Sequence, residues 1–305
     1  MRVLVPYPEV VPRLPAGLAV DVYDGVGEPP STVDEVELYV LPYTFGRTPL
    51  ELIAAMPRLR VVQTLTAGYE HVLPYLPRGV RLCVAGGVHD TSTAELALTL
   101  TLAALRGIPS FVRAQDRGEW AHERYETLAD KRVLIVGYGG IGTAIHRRLA
   151  GFEVASVRLV ARRPREGVSP MTELPALLPE ADVVILALPL TPESRGLVDR
   201  EFLAALPDGA LLVNVARGAV VDTDALLAEL NTGRLRAALD VTDPEPLPPG
   251  HPLWQAPGLL LSPHVGGNTT AFLPRALRLI EEQVRRFAAG EPLPYDVTPA
   301  GSTER

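Results

Sequence analysis

The apolar run Val133-Leu134-Ile135-Val136 leads without a spacer into Gly137-Tyr138-Gly139-Gly140-Ile141-Gly142, and Ile145 and Leu149 follow at helical spacing. No other stretch restricts the fold as strongly. A buried strand, a turn that needs glycine and a helix, in that order, mark the first βα unit of a doubly wound parallel sheet that binds a dinucleotide. Gly137 permits the tight turn, Gly139 lets the backbone approach a pyrophosphate, and Gly142 lets helix and strand pack closely. With Gly140 and Ile141 at its start, the helix offers free N–H groups and a positive dipole end to the anion.

Around this unit, short apolar runs alternate with helical patterns, which predicts an α/β chain built on parallel sheets. Strands are expected at 2–5, 19–23, 37–41, 61–65 and 81–84, and again at 132–136, 157–160, 183–188, 210–215, 237–241 and 259–261. Thr48-Pro49-Leu50-Glu51 reads as a capping box with Thr48 as N-cap, and Ser92-Thr93-Ala94-Glu95 as a second one opening a long apolar helix that ends at Gly107. Residues 113–131 read as a connecting stretch. Helices are expected around 174–178, over 224–230 and over 270–289, with Pro274 in the first turns of the last.

At 305 residues, 47% hydrophobic and 21% charged, the chain is long enough for two domains and too apolar for disorder. Its longest apolar runs, such as 183–190, fall short of the roughly 18 to 20 residues of a membrane-spanning helix. The apolar stretch before Pro6 is too short for a secretory signal, so a cytoplasmic protein is expected. Cys83 is the only cysteine, which excludes an intrachain disulfide and a thiolate metal cluster, and no metal site is expected. A net charge of −7 argues against a nucleic-acid partner. Among 29 basic residues Lys131 is the only lysine, which removes most lysine-based chemistry.

A carboxylate about 20 residues beyond the glycine loop would accept from the ribose 2'-hydroxyl of NAD. Here the second strand ends Val160-Ala161-Arg162-Arg163-Pro164-Arg165. Arg162 and Arg163 offer guanidinium donors suited to a 2'-phosphate, so NADP is expected, with NAD as the alternative.

Three further segments fall at strand ends, where ligands bind in open α/β sheets. They are Asn214-Val215-Ala216-Arg217-Gly218, Asp240-Val241-Thr242-Asp243-Pro244-Glu245-Pro246 and Ser262-Pro263-His264-Val265-Gly266-Gly267. Beside a nicotinamide they suffice to reduce a 2-keto acid. Histidine delivers a proton to the oxygen as hydride reaches the carbon, Glu245 favours the imidazolium, and Arg217 clamps a carboxylate and polarises the keto oxygen.

The run of motifs resembles the D-isomer-specific 2-hydroxyacid dehydrogenase family. It comprises Thr66-Ala67-Gly68-Tyr69-Glu70-His71, the Thr93-Ala94-Glu95 helix, the Gly137 loop, Pro189-Leu190-Thr191-Pro192-Glu193-Ser194, and the Arg217, Asp240 and His264 segments. The resemblance implies two Rossmann/flavodoxin-like domains, a substrate domain of 1–94 with 273–305 and a dinucleotide domain of 95–272, with the active site in the cleft between them. It implies Arg217, Glu245 and His264 as the catalytic trio, with Arg217 and His264 also contacting substrate. Asp240 would hold the nicotinamide carboxamide, and Ala67 and Gly68 the substrate carboxylate. Leu188, Pro189, Val215, Ala216, Gly266 and Gly267 would be further cofactor contacts. Family members are usually homodimers built on the nucleotide domain and the Glu95 helix.

The arginine-rich ribose turn is similar to that of glyoxylate/hydroxypyruvate reductases, which implies a small substrate. A larger or phosphorylated 2-hydroxy acid is the alternative, for which Arg47 is a candidate cation. An NAD(P)-binding regulator or corepressor is the rival from another class; the chain's stopping soon after the last helix weighs against it. The formate enzymes that resemble the family carry glutamine where Glu245 stands, and the phosphite enzymes use a lysine that the first domain lacks. Where the family often shows an asparagine before the Thr93 segment, this chain has Gly86-Gly87-Val88-His89-Asp90-Thr91; His89 and Asp90 read as a turn, and His71, His122, His146 and His251 as structural.

Overall fold

The computed structural model describes residues 1–43 and 46–299. It divides the chain into one unit of Met1–His89 with Thr270–Arg305 and another of Asp90–Thr269. The divisions therefore fall at 89/90 and 269/270, not at 94/95 and 272/273, and residues 300–305 of the expected substrate domain lie outside the described residues.

In the first unit, β1 (Arg2–Val5), β2 (Ala19–Val22), β3 (Val36–Val40), β4 (Val61–Gln63) and β5 (Arg81–Cys83), joined by α1 (Thr48–Glu51), form a parallel sheet in the order β2-β1-β3-β4-β5. The strands are apolar on both sides because both faces are covered. One face packs Val3, Val5, Leu38 and Val61 against the last helix of the chain, and the other packs Leu4, Tyr39 and Val62 against Leu50, Ile53 and Met56. Past that helix the chain returns to the free edge of β5, where Val84 N–H donates to Tyr295 O and Val297 N–H to Leu82 O.

The second unit opens with α2 (Asp90–Leu105) and α3 (Ile108–Asp116). Its sheet comprises β6 (Arg132–Val136), β7 (Ser156–Ala161), β8 (Ser169–Pro170), β9 (Val183–Leu186), β10 (Leu211–Asn214), β11 (Arg236–Leu239) and β12 (Leu259–Leu261). The intervening helices are α4 (Gly140–Leu149), α5 (Leu174–Leu177), α6 (Arg200–Ala205) and α7 (Thr223–Thr232), and α8 (Phe272–Ala289) belongs to the first unit. All neighbours are parallel, in the order β12-β11-β10-β9-β6-β7-β8. The strand order reverses between β6 and β9, the point at which a doubly wound sheet opens a crevice for ligand.

Neither predicted capping box forms. At Arg47 the backbone is already αR (φ −80°, ψ −28°), so Thr48 is the first helical residue, not the cap. Helix α2 starts at Asp90, and Ser92, two residues inside it, pairs its hydroxyl with that of Thr269 at 2.9 Å. That earlier start moves the domain division to Asp90. Two helices lie where none is expected: α3, at the start of the stretch read as a connection, and α6, capped by Asp199, whose carboxylate accepts from Phe202 N–H at 2.8 Å. Among the described residues no single helix is long and apolar enough to cross a membrane.

Candidate active site

The glycine loop joins β6 to α4 at the switch point, and its glycines are dictated by backbone proximity. Gly137 has φ +100°, and a Cβ there would stand 2.4 Å from the carbonyl oxygen of Ala187 and 2.7 Å from Leu188 N, at the end of β9. A Cβ on Gly142 would stand 2.1 Å from the carbonyl oxygen of Gly137. Gly139 differs: nothing lies within 4 Å of its Cβ position. An open face at the second glycine, in front of the first N–H groups of α4, is what a pyrophosphate requires. The residues present therefore fit a nicotinamide dinucleotide. Gly140 has its own constraint, since a Cβ would fall 2.1 Å from the Asp90 carboxylate at the start of α2.

Leu188 and Pro189 begin a loop folded on Ser194, whose hydroxyl donates to Pro189 O and accepts from Thr191 N–H, both at 2.8 Å. Arg162 and Arg163 are exposed at the end of β7 and, among the described residues, make no hydrogen bond or ion pair. His146 accepts or donates at Nδ1 to the Tyr138 hydroxyl at 2.8 Å, in keeping with its structural reading.

At the far side of the switch point, Asn214 is buried at the end of β10 and brackets the next turn. Its Oδ1 accepts from Ala216 N–H at 2.9 Å, and its Nδ2 donates to Arg217 O at 3.0 Å. Val215 and Ala216 are thereby fixed and buried. The Arg217 guanidinium donates to Ala216 O at 2.7 Å. Gly218 then passes so close to the following loop that a Cβ would stand 1.9 Å from the Thr242 carbonyl oxygen. This contact of main chain with main chain brings the Arg217 turn to the segment that carries Glu245.

Asp240, 3% exposed, organises the third segment. Its Oδ1 accepts from Ser262 Oγ at 2.6 Å and Val265 N–H at 2.9 Å, and its Oδ2 from Gly266 N–H at 2.9 Å. Its carbonyl accepts from His264 N–H at 2.7 Å. Between these anchors His264 adopts φ +53°, a left-handed conformation that costs a residue with a Cβ about 1–2 kcal/mol. The cost is met by the bonds around it. The resemblance assigns Asp240 to a carboxamide; here its carboxylate holds the His264 loop, and Oδ2, with a single donor among the described residues, keeps a second acceptor position.

The product of this scaffold is a pair: His264 Nδ1 lies 2.5 Å from Glu245 Oε1. Burial pushes the Glu245 carboxyl up, but the His264 hydrogen bond and charge, a backbone bond from Thr242 and the charge of Arg217 together hold it below the ordinary carboxylate range. Glu245 therefore stays an anion near neutral pH and occupies Nδ1, leaving Nε2 as the nitrogen that can exchange a proton with a ligand. The sequence-predicted trio thus shares the second unit, with His264 and Glu245 bonded and Arg217 near enough to bias Glu245.

Ala67 and Gly68 lie in the first unit, after β4. Thr64 Oγ1 donates to Thr66 O at 2.8 Å, Thr66 Oγ1 to Gly68 O at 2.7 Å and Ala85 N–H to Thr66 O at 3.0 Å. His89 is buried, with Nε2 bonded to Leu65 O at 2.7 Å and its ring stacked on Phe272 at 5.5 Å. It supports the Ala67 turn through the main chain. Asn214, Gly218 and Ser262 also build the site; the sequence marks them by position alone, each being near a candidate residue at a strand end.

Residues 98–266 match the sequence model of the NAD-binding domain of D-isomer specific 2-hydroxyacid dehydrogenases. The chain belongs to the D-isomer specific 2-hydroxyacid dehydrogenase family. It is 36% identical over 231 residues to glyoxylate reductase/hydroxypyruvate reductase of Mus musculus, covering 72% of this chain and 70% of that one. It is 35% identical over 261 residues to D-3-phosphoglycerate dehydrogenase of Mycobacterium tuberculosis, covering 82% of this chain but 49% of the relative. Among solved structures, a family member from Xanthobacter autotrophicus Py2 in complex with NADPH and MES superposes with TM-score 0.82 at 34% identity, over 99% of each chain. This member of the family is accordingly a nicotinamide-dependent oxidoreductase of 2-hydroxy acids.

Proposed function

We propose that this dehydrogenase reduces a small 2-keto acid of the glyoxylate or hydroxypyruvate type to the D-2-hydroxy acid, with NADPH as the preferred reductant. The observation that carries the reading is the Glu245–His264 pair at 2.5 Å beside Arg217, on the same unit as the glycine loop. Gly137, Gly139, Gly140, Ile141 and Gly142 would hold the pyrophosphate, Arg162 and Arg163 the ribose phosphate, and Leu188, Pro189, Val215, Ala216, Asp240, Gly266 and Gly267 the rest of the cofactor. When bound, the reduced nicotinamide supplies hydride to the keto carbon. Arg217 holds the substrate carboxylate by a forked pair of hydrogen bonds and polarises the keto oxygen. His264 gives the Nε2 proton to that oxygen as negative charge builds, while Glu245 keeps Nδ1 protonated and the ring oriented.

The NADP preference is supported by the two exposed arginines that end β7 where an NAD site has a carboxylate, and by the NADPH bound to the Xanthobacter relative. The small substrate is supported by the mouse relative's activity. Reduction of a phosphorylated keto acid is the second reading, favoured by the phosphoglycerate dehydrogenase relative and by Arg47, exposed at the start of α1. We place the enzyme in the cytoplasm as a homodimer. Ile108 and Val112, one turn apart on α3, are 47% and 52% exposed, apolar side chains that a second copy would cover.

A panel of glyoxylate, hydroxypyruvate, pyruvate and phosphohydroxypyruvate tested with NADPH and NADH decides among these readings. Loss of reduced-cofactor absorbance is expected first with glyoxylate or hydroxypyruvate and NADPH. Turnover with none of the keto acids, despite cofactor binding, would replace the enzyme reading with that of a nucleotide sensor.

A further inference from the structure

Behind the turn that follows β4, polar side chains lie in an otherwise apolar core: Gln63, Thr64 and Gln283 are 0%, 1% and 1% exposed. Val61, Leu65, Leu279, Ile280 and Val284 belong to the core around them. A buried amide costs stability unless it is fully hydrogen-bonded, and Gln283 Oε1 has no hydrogen-bond partner among the described residues. An apolar pair would fill this space at less cost, so what the amides hold is informative.

The bonds run toward the turn. From α8, Gln283 Nε2 donates to Gln63 Oε1 at 2.5 Å and to Pro294 O at 3.0 Å. Gln63 Nε2 donates to Thr64 O at 2.7 Å and Thr64 N–H to Cys83 O on β5 at 2.9 Å, which holds the Thr64 backbone on both sides. The Thr64 hydroxyl then donates to Thr66 O, which also accepts from Ala85 N–H. With Leu65 O bonded to His89 Nε2 and Gly68 O to Thr66 Oγ1, the carbonyls of residues 64, 65, 66 and 68 are all engaged. In a trans peptide the N–H points opposite to the C=O of the same plane. Anchoring Thr66 O beside Ala85 therefore turns Ala67 N–H away from that side, and Gly68 N–H lies between two anchored peptides. Neither N–H donates to any group among the described residues, and Ala67 is exposed. Two adjacent main-chain donors, already oriented, make a binding element for an anion.

We propose that the buried relay Gln283–Gln63–Thr64 is a positioning device that sets the Ala67 and Gly68 N–H groups for the substrate carboxylate without touching the substrate, with Thr64 as its decisive member. The proposal rests on the 2-keto acid reading given above.

Steady-state kinetics of the whole protein with its best 2-keto acid, together with the Kd for the reduced cofactor and the Tm, test it. Thr64→Val keeps the shape and removes the hydroxyl, while Thr66 O retains the Ala85 N–H, so the fold stays intact. It should raise KM for the keto acid about fivefold or more, with kcat and the cofactor Kd within about twofold of wild type, the pattern of weakened substrate binding alone. Thr64→Ser restores the hydroxyl and should restore KM. Gln283→Met acts from the far end of the relay and should raise KM in the same selective way, by less. Wild-type KM in either Thr64→Val or Gln283→Met, in protein that folds, overturns the relay and leaves the enzyme reading standing; if one of the two does not fold, the other decides. A loss of cofactor binding as large as the rise in KM also overturns it, since that is the mark of a merely structural role. A wild type that turns over no 2-keto acid overturns the enzyme reading, and the assignment falls with it.

Discussion

Replacing Asp240 with alanine removes a carboxylate that is 3% exposed and takes three hydrogen bonds, two of them from the main-chain N–H groups of Val265 and Gly266. The Ser262 hydroxyl can rotate toward another acceptor, but the two amides cannot. Stranding a buried donor costs about 1–3 kcal/mol, so the two together cost the second unit about 2–6 kcal/mol. At roughly 2–4 °C per kcal/mol for a folding unit of this size, its Tm should fall by on the order of 10 °C. Asp240→Asn retains one acceptor oxygen and turns an amide group toward a main-chain N–H, so it should lose a substantial part of the same stability. The bond from His264 N–H to the carbonyl of residue 240 survives both changes, so the loop loosens without detaching. A displacement of His264 of this kind should lower kcat by ten- to a hundredfold. Scanning calorimetry and steady-state kinetics on the two variants measure both effects. A Tm for Asp240→Ala within about 2 °C of wild type, with kcat unchanged, would refute the claim that this carboxylate holds the catalytic loop.

Three further outcomes are expected. His264→Asn, whose side chain tolerates left-handed backbone, should lower kcat by about a hundredfold or more while changing stability by no more than about 1 kcal/mol, checked by kinetics and denaturant titration. Because the folded Glu245 carboxyl lies below its usual value of 4.5, the stability it contributes is present above that pH and disappears as pH falls through the folded value. Tm curves of wild type and Glu245→Gln should therefore stand apart at pH 4.5 and converge as the pH is lowered further; curves that stay parallel into acid would contradict the pairing. Gly218→Ala, with a Cβ 1.9 Å from a carbonyl oxygen, should cost several kcal/mol, on the order of 3, and raise the KM for the keto acid as the Arg217 turn shifts; soluble protein with wild-type kinetics would show that the close approach is dispensable.

The elements that could be read in advance are those whose determinants are neighbours in sequence. Buried parallel strands announce themselves as apolar runs, and the glycine loop is a local motif flanked by its own strand and helix, so β6 and α4 fall where expected. Helix starts are less legible: Thr48 and Ser92 have the residue types of caps, but the backbone is already helical one residue before the first and two before the second. The catalytic trio could be named because its segments, about 20 to 30 residues apart, each fall at a strand end beside the dinucleotide motif and because their order resembles the family's; no local pattern says that residue 245 meets residue 264. The loop-holding role of Asp240 is illegible for the same reason. It is defined by partners about 25 positions away, across a sheet whose strand order the residue pattern does not encode.

The left-handed turn at position 264 is held by main-chain groups of residues 264, 265 and 266, none of which depends on the imidazole. Geometry and reactivity are thus carried by separate atoms. Glycine, asparagine or aspartate would sit in that turn as comfortably as histidine does. A lineage could exchange the imidazole, keep a well-folded nucleotide pocket, and inherit a protein that reports the reduction state of its cofactor pool instead of drawing on it.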